Sequence, residues 1–405
     1  LGGNANIQLE SNAITLSTVG GLIFIDGTIN SPSGQDLTIN AGNGDIYIYD
    51  AIGQSYALGA FEINNTGRTE LDFGVTASSI DLSGATEILL SLGVTLDTSA
   101  ANGQVDIDGG AIDGGDLWVE AGSGNVNVGA MGQNSPMGFI EIYSTGVTTL
   151  NDNISASYIE LGPLGSDIQL ESNAITLSTA SFGGDVIIDG TINSPSGQDL
   201  TINTSSSDIE IFGAIGQANA LGAFEINNIG RTELFEGITA SSIDLSGATE
   251  ILLSGNVTLD TSAANGQVDI NGGAIDSSFS FPENLTINAG SGDVNVGAMG
   301  QNNLLGEIEI NSTGVTTLNE NISAQTIEFD PLGGNADIQL ESNAITLSTA
   351  SFGGLVYIDG TINSPSGQEL TINTGGGVID IFGAIGQANA LGAFEINNTG
   401  LTELE

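Results

Sequence analysis

One phrase of about thirty residues stands in this chain three times almost unchanged. It reads IQLESNAITLST, then after a short spacer IDGTINSPSGQ(D/E)LTIN, and begins at Ile7, Ile168 and Ile338. Copies this similar, with similar text between them, mark a tandem array in which each unit buries its apolar face against its neighbours. A mosaic of unrelated domains is excluded.

A shorter period lies beneath the long one. Leu37-Thr38-Ile39-Asn40 recurs as Leu117-Trp118-Val119-Glu120, Leu200-Thr201-Ile202-Asn203, Leu285-Thr286-Ile287-Asn288 and Leu370-Thr371-Ile372-Asn373, at nearly even spacing. Half-units therefore start near 37, 117, 200, 285 and 370, and two of them make one super-repeat, starting near 7, 168 and 338. Each half-unit divides at its glycine-rich turns into four lines of similar length.

Within each line aliphatic and polar residues alternate over three to five positions, and each run stops at Gly, Asn, Asp or Ser. In Leu37-Thr38-Ile39, Phe61-Glu62-Ile63, Ile80-Asp81-Leu82, Val105-Asp106-Ile107 and Ile140-Glu141-Ile142 the outer side chains share one face and the middle one takes the other. Aliphatics go inward and carboxylates outward. Sixty glycines leave no room for long helices. Such short strands, without long connections, cannot build Greek-key crossovers. A string of small β-sandwiches is set aside because neither linkers nor a recurrent core aromatic is present.

Turning in one sense after every strand stacks each coil on the last. The spacing predicts an all-β fold, a parallel β-helix or β-solenoid, right-handed by the usual crossover preference, continuous over residues 1–405. About 20 residues per coil would give roughly 20 coils and, at ~4.8 Å each, a rod of about 95 Å. Since Leu1-Gly2-Gly3-Asn4-Ala5 matches Leu332-Gly333-Gly334-Asn335-Ala336, and Thr402-Glu403-Leu404 matches Thr69-Glu70-Leu71, the chain is expected to be an excerpt of a longer repetitive polymer.

Charge narrows the function classes. Asp and Glu number 49 against two Arg and no Lys or His, a formal charge of -47. That surface repels nucleic acids and anionic membranes and lacks the cationic donors either would need. No run approaches the ~20 apolar residues of a membrane span. So much negative charge requires a salty medium or bound divalent cations, which points outside the cytoplasm. No cysteine is present to report on redox compartment.

The cadence LTINAGNG, AIGQ, LGAFEINNTG, TEL, VTASSIDLSGATEILL, VTLDTSAANGQVDI resembles the repeats of filamentous haemagglutinin-type exoproteins, bacterial surface adhesins exported by two-partner secretion. The resemblance runs from Leu1 to Glu405. It implies an elongated right-handed β-helix at the bacterial cell surface or beyond it.

Candidate sites are sparse. Asp26, Asp189 and Asp359, each before a glycine at matching positions, and Asp106, Asp108 and Asp113 among glycines, are candidate Ca²⁺ ligands, because oxygen-rich glycine turns can hold that ion. They do not follow the nonapeptide calcium pattern, and solvated turn aspartates are the plainer account. Tyr47, Tyr49, Trp118, Phe212 and Phe382 fall at outward positions suited to contacts between solenoids or to stacking on sugars; for Phe212 and Phe382, packing into a coil corner serves equally. Arg68 and Arg231 share a repeat position that Leu401 fills in the third copy, and are either ion-pair staples or tolerated surface groups. Thr15, Thr176 and Thr346 lie whole super-repeats apart and form no ice-binding ladder.

No cofactor other than Ca²⁺ is expected. Uniformly short turns, absent His and Lys, and carboxylates that repeat with the scaffold argue against an enzyme, including the polysaccharide-active kind found on β-helices. The leading expectation is a structural extracellular protein, the rigid acidic shaft of a fibre, filament or sheath that self-associates into fibres or bundles. The alternative is an adhesin binding glycans or neighbouring cells through aromatic and Asn/Thr surfaces.

Overall fold

The computed structural model describes residues 6–163, 165–278, 281–330 and 336–405. Leu1–Ala5 and residues 332–335, which carry the match between the start of the chain and a later repeat, lie outside the described residues. Among the described residues every regular element is a β-strand and the strands pair in parallel. The result is a β-solenoid of about 17 turns of roughly 23 residues. The turn is thus longer, and the turns fewer, than the glycine-delimited lines suggest. Three strands and three corners make one turn, and those lines do not coincide with turns.

Two compact units divide the chain, Leu1–Gln198 with Asn203–Ser205, and Asp199–Ile202 with Ser206–Glu405. In the first unit three aliphatic ladders run through the turns. One passes Leu37, Phe61, Ile80, Val105, Val126, Thr148, Ile168 and Ile192. A second passes Ile23, Ile46, Thr69, Ile88, Ile112, Met131, Ile154 and Leu177. The third passes Ile29, Ile52, Val75, Leu96, Val119, Ile142, Leu161 and Ile188. All these side chains are buried, and the core is a stack of aliphatic residues interrupted by Phe61, Thr69, Met131 and Thr148. In register beside the first ladder, outward Thr38, Glu62, Asp81, Asp106, Asn127 and Thr149 follow one another.

The second unit repeats this plan. Its ladders include Phe224, Ile243, Val268, Val294, Thr316, Ile338 and Ile362 on one face and Ile251, Ile275, Met299, Ile322, Leu347 and Ile372 on another. Close spacing of turns dictates glycine at the corners. A Cβ on Gly103 or Gly266 would lie 1.6 Å from the carbonyl oxygen of Ser78 or Ser241 one turn back. The preceding Asn102 and Asn265 take φ of 54° and 55°, the left-handed region that Asn tolerates better than most residues.

The phrase SPSGQ closes on itself. Gln198 N–H donates to Ser194 Oγ, the Ser194 hydroxyl donates to Gln198 Oε1, and Ser196 N–H donates to the same Oε1 at 3.0 Å. Gln198 Nε2 then reaches back 3.4 Å to the Glu171 carbonyl of the preceding turn. Ser364, Ser366, Gln368 and Glu341 reproduce the arrangement. An exposed loop tip closed by the buried Ser and Gln at its two ends explains why these residues recur so faithfully.

Candidate functional site

The six candidate calcium aspartates are not gathered into a site. Asp26, Asp189 and Asp359 stand one per super-repeat beside a corner glycine. A Cβ on Gly190 would meet the Ser166 carbonyl at 2.3 Å, and one on Gly360 the Ala336 carbonyl at 2.1 Å, so close backbone approach accounts for the glycine after Asp189 and after Asp359. Asp106 Oδ1 accepts Asp108 N–H and Asn127 Nδ2, both at 3.2 Å. Asp108 is exposed at the turn, and partial desolvation, then the charges of Asp106 and Asp152, raise its carboxyl above the ordinary value.

Asp113 is buried and occupied. Its Oδ1 accepts the amides of Asn134 at 2.9 Å and Ser135 at 3.1 Å, and its Oδ2 accepts Asn134 Nδ2 at 2.8 Å. Asp276 holds Asn302 and Asn303 in the same way, while Asn30 holds the amides of Ser55 and Tyr56 at the matching position. These side chains anchor the loop that follows Ile52, Met131 and Met299. Among the described residues no group of three or more His, Cys, Asp or Glu is arranged to hold a metal ion.

Most of the outward aromatics are each other's partners across adjacent turns. Phe24 meets Tyr49 of the next turn edge-on with centroids 5.2 Å apart, and Tyr47, on the same turn as Tyr49, lies 5.9 Å from it. Phe212 stacks on Phe235 at 4.3 Å, and Phe382 meets Tyr357 at 5.5 Å. Such pairs tie neighbouring turns together from outside. Phe24, Phe235 and Tyr357 escape notice in the sequence because their partners lie a full turn away.

Trp118 stands apart from this pattern. Its half-buried indole lies over Gly93, where a Cβ would approach the ring to 2.7 Å, and its register partner on the next turn is Glu141. Glu120 pairs with Tyr143, Phe139 with Tyr158, and Glu141 with Glu160. The Tyr143 hydroxyl donates to Glu141 at 2.9 Å and that of Tyr158 to Glu160 at 2.8 Å, with the Phe139 and Tyr158 centroids 5.5 Å apart. Burial first, then the bond to Glu141, pushes the Tyr143 phenol up to about 12, and Tyr158 is raised for the same reasons. Phe139, Tyr143 and Tyr158 are missing from the candidates that sequence reasoning produced. The signal that finds them is their departure from the repeat.

The arginines do act as ion-pair partners. Arg231 lies 3.1 Å from Asp208, 3.4 Å from Glu210 and 3.5 Å from Glu233, joining two turns, whereas Arg68 meets Glu70 at 3.3 Å. Both are partly solvated, so each bond is worth little by itself. Leu401, their counterpart, is exposed.

Stacked parallel turns around three aliphatic ladders define a β-helical repeat protein, a β-solenoid. No family model, curated protein or solved structure matches the chain.

Proposed function

We propose that this protein is a structural extracellular β-solenoid of the filamentous haemagglutinin type, forming the rigid acidic shaft of a bacterial surface fibre, filament or sheath. The observation that carries this reading is the rotation of the repeat around the coil. Leu37 begins one half-unit on the ladder of Phe61 and Ile80, and Leu117 begins the next on the face of Val94 and Ile140. In the second unit, Leu285 pairs with Val257 and Ile308, whereas Leu370 pairs with Ile345 and Phe394. A half-unit spans three turns and two further faces, so its outward carboxylates come round to different faces in succession. Such a coat confers solubility in every direction and singles out no face, as suits a spacer.

Stacked β-branched and leucine cores bonded along the coil axis supply stiffness. Catalysis has little to work with, since the chain holds no His, Lys or Cys and its acidic constellations repeat with the scaffold. Small-angle scattering of the purified chain, followed by negative-stain microscopy of concentrated material in physiological salt, tests the reading. Extended particles that associate into filaments or lateral bundles are expected. A compact globule that stays monomeric at every concentration overturns it.

A further inference from the structure

We infer that the face around Trp118 is a docking surface for a cationic, Arg- or Lys-bearing polypeptide segment. Among the diverged half-units of this chain, four positions on three successive turns depart together from the residues that all the other copies carry. Trp118 replaces Thr38, Thr201, Thr286 and Thr371; Phe139 replaces Ala60, Ala223, Glu307 and Ala393; Tyr143 replaces Asn64, Asn227, Asn311 and Asn397; Tyr158 replaces Ser79, Ser242 and Thr326. Every other copy has a small or polar residue there. Scattered drift would spread such changes along the chain, whereas register places these four beside one another on one sheet face.

None of the four is needed by the fold, since the other copies build the same strands without them. Asn64, Asn227 and Asn311 each donate to the glutamate two residues earlier, the bond that the Tyr143 hydroxyl makes to Glu141. What the aromatics add is ring surface. Phe139 is 46% exposed, and Tyr143 helps line a shallow cavity of about 260 Å³ with Ser99, Glu120 and Gly122.

Charge decides the occupant. Glu120, Glu141 and Glu160 are interleaved with the rings, and each phenol bond leaves the second oxygen of Glu141 and Glu160 without that donor. Aromatic faces alternating with carboxylates suit guanidinium or ammonium groups, which gain cation–π contact and an ion pair at once. The net charge of -47 steers such a partner in. A second copy of this chain does not fit, because it offers no Lys and only two Arg, each already against carboxylates.

Trp118, the sole tryptophan, reports on this face directly. Hexa-arginine titrated into the full chain in 150 mM salt is expected to shift Trp118 emission saturably. The variant Phe139→Ala, Tyr143→Asn, Tyr158→Ser takes residues that the Leu37 and Leu200 half-units already carry and leaves the charge unchanged, so it retains the coil, as circular dichroism will check. It should bind about tenfold more weakly by loss of its ring contacts. Equal affinity for both proteins would mean general polyanion binding and overturns the proposal. A saturable response to a neutral hexasaccharide with none to hexa-arginine overturns it too, in favour of a sugar platform.

Discussion

Leu37 and Leu117 open equivalent phrases of successive half-units, yet they lie on different faces of the coil, Leu37 against Phe61 and Leu117 against Ile140. The same short text therefore serves every face, and the unit that was duplicated is not the unit that stacks. The structural unit is the turn.

That distinction predicts which deletions the fold accepts. Removing residues 38–61 joins Leu37 to Glu62 and lets Leu37 take the place of Phe61, its partner in the register. This one-turn deletion should leave a cooperatively melting β-protein. Removing residues 38–49 shifts the downstream chain by part of a turn, sets inward residues against outward ones and should yield aggregated or non-cooperative material. Circular dichroism melts of the two proteins decide the matter; equal behaviour would deny the turn its role.

Asp113 is expected to behave as an anchor. Asp113→Ala removes the charged acceptor of the Asn134 and Ser135 amides at a partly buried corner and should cost about 1–3 kcal/mol. Asp113→Asn should be close to neutral, because Asn30 does the same work elsewhere. Hydrogen exchange at those two amides and protease cutting of residues 132–138 are the measurements. A neutral alanine variant would refute the assignment.

Thr148 and Thr316 are flaws in the core. Each is fully buried within a ladder of aliphatics, and neither hydroxyl has a hydrogen-bond partner. Replacing either by valine keeps the shape and removes an unsatisfied polar group, and should stabilise by about 1 kcal/mol. A raised urea midpoint with an unchanged slope is the expected result; a lowered midpoint contradicts it.

Mild acid should stabilise this protein. Desolvation by burial, then repulsion from Glu70 at Asp72, from Asp106 and Asp152 at Asp108, and from Glu307 and Glu309 at Glu328, holds these carboxyls above their ordinary values. A raised group binds its proton more tightly in the folded chain. Its contribution is complete below the unfolded values, 3.8 for Asp and 4.5 for Glu, and is lost as pH rises through the folded ones. The melting temperature at pH 5 should exceed that at pH 7 in the same salt, and a fall would contradict the reading.

Calcium removal provides a separate check. No three of the candidate aspartates are arranged to hold a metal ion among the described residues, and Asp113 is committed to its loop. Chelation by EDTA should leave the melting temperature unchanged. A drop of several degrees, restored by Ca²⁺ but not by Na⁺ of equal ionic strength, would establish a calcium site.

Much of this was readable from residue order alone. Alternation in Leu37-Thr38-Ile39 and Val105-Asp106-Ile107 assigned inside and outside because a strand has a period of two, and repetition with short glycine turns left stacking in parallel coils as the economical way to bury the aliphatics. Local chemistry set strand, turn and face. The length of a turn, the migration of half-units around the coil and the pairing of Phe212 with Phe235 were settled only by the tertiary structure. Each depends on which residue lies one turn away, about 23 positions along the chain. For the same reason Trp118 looked solitary in the sequence, and only register brought Phe139, Tyr143 and Tyr158 to its face.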